Sequence, residues 1–287
     1  MTATGDLKQA LTQHLQQLCR ERDPFLATAG HFYAQQYIRQ QLAQWGVVEP
    51  HAFEFRGQQY QNWILDLAAA ESPAAPTQPP ILIGAHYDTV PGSPGADDNA
   101  TGVAVLLELA RSLAAQPIRY PVRCVAFDLE EYGLVGSTAY AEALRQQGYP
   151  LRLMLSLEML GYCNQTPYSQ NYPPGLSYFY PNQANFVALI GNWRTIPDLL
   201  RLTSSIRRLG AVPCEWLPAG SQGKLVPDTR RSDHAPFWDR GYPAILVTDT
   251  ANLRNPHYHR HSDRLETLDI DFLTRVCQGL VEGLRLL

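Results

Sequence analysis

Between Ile81 and Met159 the chain alternates short apolar strands with amphipathic helices, and this alternation restricts the fold more than any other feature. Ile81–Ala85 is a fully apolar run, of the kind buried on both faces of a sheet. The pattern then predicts a helix over 99–115, a strand over 122–129, a helix over 136–147 and a strand over 151–159. Strand, helix and strand in succession require parallel pairing, with helices covering both faces of the sheet. Two helices are expected before this centre, over 7–20 and 27–45, the second capped by Gly46. A hairpin around Gly57 follows, with strands 47–55 and 60–67, and then a Pro/Ala-rich loop over 72–80. Later elements are a strand over 186–190, a helix over 197–209, a strand over 243–248 and a closing helix over 267–287. Residues 162–183 and 212–231 read as surface excursions. No repeat, low-complexity tract or linker divides the chain. Residues 1–287 are therefore expected to form one α/β domain, a three-layer α/β/α sandwich on a mixed, mostly parallel central sheet.

With 45% apolar and 17% charged residues, the 287-residue chain has the composition of a well-buried globular protein. A net charge of −4 gives no support for nucleic-acid or anionic-membrane binding. No apolar run approaches the ~20 residues that span a bilayer. The first residues, Met1 to Asp6, lack the basic and apolar regions of a signal peptide. Five scattered cysteines with no Cys-x-x-Cys pair favour reduced thiols and a cytoplasmic setting over disulfides or a thiolate metal site.

Chemistry-bearing residues gather where the strands end, which is where open α/β sheets place their sites. His86 and Asp88 follow the first apolar strand, Glu130 and Glu131 the second, and Glu158 closes the third. Asp97 and Asp98 sit at the corner leading into the next helix. Adjacent carboxylates are costly to hold together unless a cation lies between them. A late loop, Asn255 to Asp263, adds His257, His259 and His261, which cannot all be ligands. Nitrogen and oxygen donors without thiolate point to zinc first, then to cobalt or manganese. A calcium-binding EF-hand is excluded, because neither the alternating Asp-x-Asp-x-Asp-Gly spacing nor the distal Glu is present.

Together the segments His86-Tyr87-Asp88, Pro94 to Gly102 (PGADDNATG) and Glu130 to Ser137 (EEYGLVGS) resemble the dizinc aminopeptidase family of metallopeptidases. Leu157 to Tyr162, Ser232-Asp233-His234 with Phe237, and Tyr258-His259 with Asp263 extend the resemblance over most of the chain. The resemblance implies a zinc-exopeptidase version of the phosphorylase/hydrolase-like sandwich holding two zinc ions. By it, His86 and Glu158 would bind one ion, Glu131 and His259 the other, and Asp97 would bridge them. Asp88 would orient the His86 ring. Asp98 would support the bridge from behind, with a cis peptide expected between Asp97 and Asp98. Among the three late histidines, His259 is chosen by its preceding Tyr and by the Asp four residues on. The one departure is Glu158, where the family usually has Asp.

The resemblance makes Glu130 the general base and offers Tyr258 as an oxyanion donor. Asp233 and His234 read either as a structural pair behind the site or as a helix-start cap beside a core aromatic. The expected reaction is hydrolysis of an N-terminal peptide bond in a peptide or small aminoacyl substrate. Two alternatives stand beside it: a glutaminyl cyclase-like acyl transfer on the same scaffold, and a binding relative without catalysis. A serine hydrolase lacks its Gly-x-Ser-x-Gly elbow here. Tyr168, Tyr172, Tyr178, Phe179, Tyr180 and Trp216 are candidates for the lining of an apolar pocket. A monomer is the expected state.

Overall fold

A computed structural model describes residues 3–70 and 78–287. In chain order it contains α1 (Ala3–Leu18), α2 (Thr28–Leu42), β1 (Val48–Phe55), β2 (Gln58–Leu67), β3 (Ile81–His86), α3 (Gly102–Ala115) and β4 (Val122–Phe127). Then follow α4 (Val135–Gln146), β5 (Leu153–Glu158), β6 (Val187–Gly191), α5 (Ile196–Ser205), β7 (Cys214–Pro218), α6 (His234–Asp239), β8 (Ala244–Thr248) and α7 (Ile270–Arg285). Most of the expected loop 72–80 lies outside the described residues.

All eight strands join one sheet in the order β1-β2-β4-β3-β5-β8-β6-β7. The pairs β4/β3, β3/β5, β5/β8 and β6/β7 are parallel, while β1/β2, β2/β4 and β6/β8 are antiparallel. The mixed, mostly parallel sheet expected from the alternation is therefore present. Alternate residues of β3 serve opposite layers. Ile81, Ile83 and Ala85 pack beneath α1, α2, α3, α5 and α7, and Leu82 packs with α4 and α6 on the other face. Every residue of β3 and of β5 is buried, as expected for strands covered on both sides.

The chain leaves β3 for β4 on one side and returns to β5 on the other. β3 is thus the switch point of the sheet, where an open α/β fold leaves a crevice at its carboxyl edge. Register sets what meets there. His86 pairs with Phe127, Gly84 pairs with Ser156, and Glu158 pairs with Thr248. The ends of four strands therefore come level, and the residues just beyond them share one crevice.

Two elements differ from the sequence reading. The helix expected from Asn99 begins at Gly102, after a wide turn at Ala96–Thr101 in which Asp98 and Asn99 have non-helical backbones. The side chain of Asn99 causes this, because its oxygen caps the helix by accepting from the amide of Gly102 at 3.0 Å. Residues 212–231 are not wholly an excursion: Cys214–Pro218 forms the edge strand β7, parallel to β6. Five residues ending in proline carry too little alternation to announce a strand.

Candidate metal centre

The crevice is built by four corners. β3 ends on His86, whose ring is 1% exposed. Its Nδ1 faces Asp88 Oδ1 at 3.4 Å. Asp88 also accepts the amides of Glu130 and Glu131, at 3.0 and 3.1 Å, so the carboxylate that faces the imidazole also fixes the turn after β4. Ser232 donates to Glu158 Oε2 at 2.8 Å. Backbone strain concentrates here: Leu129, Met159 and His259 all have positive φ, at 57°, 47° and 57°. Hydrogen bonds on both sides hold Met159 in that conformation. Its amide donates to Asn99 Oδ1 at 3.1 Å and its carbonyl accepts from Asp249 at 2.7 Å.

Asp98 stands between the two histidines. Its Oδ1 lies 3.4 Å from His86 Nε2 and its Oδ2 lies 3.2 Å from His259 Nε2. Glu158 Oε2 is 3.4 Å from the same His86 nitrogen, and Glu131 Oε2 is 3.2 Å from that of His259. Two compact triads result, His86–Asp98–Glu158 and Asp98–Glu131–His259, sharing Asp98.

The geometry therefore exchanges the two aspartates relative to the sequence expectation. Asp97 is fully buried but faces away from both histidines. It accepts from the Gly161 amide at 2.9 Å and from Asn255 Nδ2 at 2.7 Å, beside the buried carboxyl of Asp249. The cis peptide likewise lies one bond later, between Asp98 and Asn99. Asp263 accepts the amides of Asp97 and Asp98 at 2.9 and 3.1 Å, fixing the corner from the His259 loop.

The donor set fits a cation. Four carboxylates, of Asp98, Glu130, Glu131 and Glu158, converge on two imidazoles. Burial pushes the Glu130, Glu131 and Glu158 carboxyls up, Glu131 to about 7. The surrounding carboxylates overcome the opposing effect of burial on the histidines: His86 is raised well above its ordinary value and His259 to about 10. Glu131 Oε1 is buried without a hydrogen-bond partner. Oxygen and imidazole ligands at this density match a zinc site.

The other expected residues are placed as follows. Glu130 is buried, with Oε2 3.9 Å from His86 Nε2, and belongs to neither triad. Tyr258 stacks on the His259 ring, centroids 3.8 Å apart, and its hydroxyl accepts from Arg231 at 3.1 Å. His234 opens α6 and donates from Nε2 to the Thr229 carbonyl at 2.7 Å, with Trp238 edge-on to its ring. Its ring thus serves the fold rather than a pairing with Asp233. Tyr172, Tyr180 and Trp216 line an apolar hollow with Leu176, Phe186 and Leu253, and Glu215 and Asp228 also border it. Tyr168, Tyr178 and Phe179 are instead 80–87% exposed. Sequence reasoning did not give a role to Asn99, Ser232, Asp249 or Asn255. Asn99 and Ser232 stood inside quoted motifs, whereas Asp249 and Asn255 gave no signal beyond lying at a strand end and in the histidine loop.

Comparison with known proteins places these residues in context. The description "Peptidase family M28" matches residues 66–194. The uncharacterized protein YfbL of Escherichia coli (strain K12) is 35% identical over 239 residues, covering 78% of this chain and 70% of that protein. Aminopeptidase YwaD of Bacillus subtilis (strain 168) is 42% identical over 190 residues, which are 65% of this chain but only 36% of YwaD. The crystal structure of Legionella pneumophila LapA aminopeptidase superposes with a TM-score of 0.71 at 20% identity. That match covers 99% of this chain and 75% of LapA, and shows a shared fold.

Proposed function

The chain belongs to peptidase family M28, and from that premise we propose that it is a zinc-dependent aminopeptidase that removes N-terminal residues from peptides. One observation carries the reading: the oxygens of Asp98 are divided between His86 and His259, with one further carboxylate beside each histidine. Two zinc ions would be held, one by His86, Asp98 and Glu158, the other by Asp98, Glu131 and His259. Bound there, zinc would supply a Lewis acid for the scissile carbonyl and would acidify a water towards a pKa of ~7. With Glu158 in place of Asp, Oε2 still comes within 3.4 Å of His86 Nε2, so the longer side chain fits this geometry.

Glu130 is the general base. It is buried at the centre, outside both triads, and its backbone amide is fixed by Asp88. In that position it takes the proton of the attacking water and returns it to the leaving amine. The Tyr258 hydroxyl, steadied by Arg231, is the candidate donor to the oxyanion. The apolar hollow at Tyr172, Tyr180 and Trp216 receives the side chain of the N-terminal residue. The loop lining it at Val226, Asp228 and Thr229 runs on to Ser232, which bonds Glu158, so one loop connects the hollow to the metal centre. No helix among the described residues is long and apolar enough to cross a membrane. Five free thiols support a reducing, cytoplasmic setting for the reaction.

The test is hydrolysis of aminoacyl-p-nitroanilides by wild type and Glu130→Gln, with metal content measured in both. Activity should fall by about 10²–10⁴-fold while bound zinc is unchanged. Undiminished turnover in the variant would sink the assignment. Conversion of an N-terminal Gln peptide without uptake of water would replace it with cyclase chemistry.

A further inference from the structure

The connector between α1 and α2 supplies no ligand to the proposed centre, and the family match begins 44 residues after Arg22, at residue 66. Yet it holds a wholly buried arginine beside the site. Arg22 is 1% exposed. Its guanidinium donates to five backbone carbonyls and to no carboxylate. Leu18 and Arg20 (2.9 Å) belong to its own segment. The other three belong to the loop between β3 and the Asp98 corner: Tyr87 (2.8 Å), Pro94 (2.9 Å) and Gly95 (3.0 Å). The Arg22 amide also donates to Thr89 Oγ1 at 2.8 Å.

Its neighbours reach the same machinery. Glu21 accepts the Gly92 amide at 2.7 Å, and Asp23 accepts the hydroxyl of Tyr132, the residue after Glu131. Gly95 leaves the room that the guanidinium occupies. A Cβ there would come within 2.8 Å of Arg22 Nη2 and 2.3 Å of the Thr89 methyl.

Residues 87–95 contain no helix or strand to fix their span. The separation of His86 from Asp98 depends on that span. A planar five-donor fork can tie both ends of such a loop at once, which a single ammonium cannot do in the same geometry. We infer that Arg22 is a positioning residue of the metal centre: by tying the carbonyl of Tyr87 to those of Pro94 and Gly95, it sets the distance between His86 and Asp98.

The inference rests on the two-metal reading and is separable from it by experiment. Cobalt(II) is titrated into metal-free wild type and Arg22→Lys, with the visible absorption spectrum as readout and circular dichroism as the check of folding. Wild type should take up two ions. Folded Arg22→Lys should bind cobalt about 10–100-fold more weakly, the scale for groups supporting metal ligands, with displaced absorption bands. Its kcat should fall while KM holds. A folded variant with wild-type affinity and spectrum would overturn the role of Arg22 alone. A wild type that takes up no cobalt would overturn the metal reading and this inference with it.

Amide exchange of the wild type gives a second readout that does not depend on a variant folding. By linkage, if Arg22 favours the metal-binding geometry, zinc must favour the contacts of Arg22. Adding zinc to metal-free protein should slow exchange at the Arg22 amide together with the non-proline amides of 87–96. Protection of the loop with unchanged exchange at Arg22 would refute the coupling.

Discussion

Asn99 gives the most direct test of how the corner is held. Its side chain is fully buried and makes three bonds to backbone. Nδ2 donates to the Leu157 carbonyl at 2.8 Å, while Oδ1 accepts the amides of Gly102 at 3.0 Å and Met159 at 3.1 Å. Leu157 and Met159 flank Glu158, and Asn99 itself follows Asp98, so one amide group locks two proposed ligands into register. Replacing it by alanine strands the Met159 amide and the Leu157 carbonyl where they are inaccessible to bulk water, whereas the Gly102 amide keeps the backbone carbonyl of residue 99 as acceptor. At ~1–3 kcal/mol for each of the two orphaned groups, less what relaxation recovers, Asn99→Ala should cost roughly 2–5 kcal/mol. That is a large part of the ~5–15 kcal/mol by which a typical protein is stable. Asn99→Asp keeps both accepted bonds but sets an oxygen against the Leu157 carbonyl and adds a charge beside four carboxylates. It should therefore be no better than alanine in metal-free protein. Urea unfolding of chelator-treated protein, followed by both fluorescence and circular dichroism, measures the change. A loss below ~1 kcal/mol in Asn99→Ala would refute the account of the corner, because even one stranded group costs that much.

Asp98→Asn should lower bound zinc from two ions to one or none, whereas Asp97→Asn should retain both; metal analysis showing the reverse would restore the sequence assignment. His234 supplies a pH dependence. Burial, despite its bond to the Thr229 carbonyl, lowers its pKa from 6.5 to about 3, so between those values only the unfolded state takes the proton. The folded pKa being the lower, stability is complete above 6.5 and falls as pH drops through this window. By linkage the His234 share of the loss between pH 7 and 4.5 is about 2–3 kcal/mol. His234→Gln should lose that much less over the same range in urea titrations, and parallel slopes for the two proteins would contradict it. Finally, Trp216→Ala should open the apolar hollow and reduce the preference for leucyl over alanyl p-nitroanilide by about tenfold, judged by kcat/KM ratios. An unchanged ratio would move the specificity pocket elsewhere.

The local pattern carried a good deal of this. β3, β4 and β5 were legible because runs such as Ile81–Ala85 are buried on both faces and carry no polar interruption. His86, Glu131, Glu158 and His259 were named from positions at strand ends and from their motifs, and the fold brings them together. β7 was missed because an edge strand of five residues needs only half of its side chains inside. Tyr178 and Phe179 were offered as pocket lining, yet they face solvent at the tip of a short turn whose other side, at Leu176 and Tyr180, meets the hollow.

The chemistry was legible in the sequence alone: an α/β sheet with carboxylates and imidazoles at its carboxyl edge, a donor set that suits a cation. Periodicity and strand-end position are local properties, and a local reading recovers them. Tertiary contacts alone settle which of two adjacent aspartates stands between His86 and His259. Neighbouring residues point in different directions, and the choice is made by partners distant in the chain. Gly161 and Asn255 draw Asp97 away, Asp263 holds both amides, and Asn99 is pinned to either side of Glu158. Arg22 closes the far end of the same loop from 65 residues before Tyr87. Such contacts leave no trace in spacing, because hydrogen bonds to backbone carbonyls ask nothing of the identity of the residues that supply them.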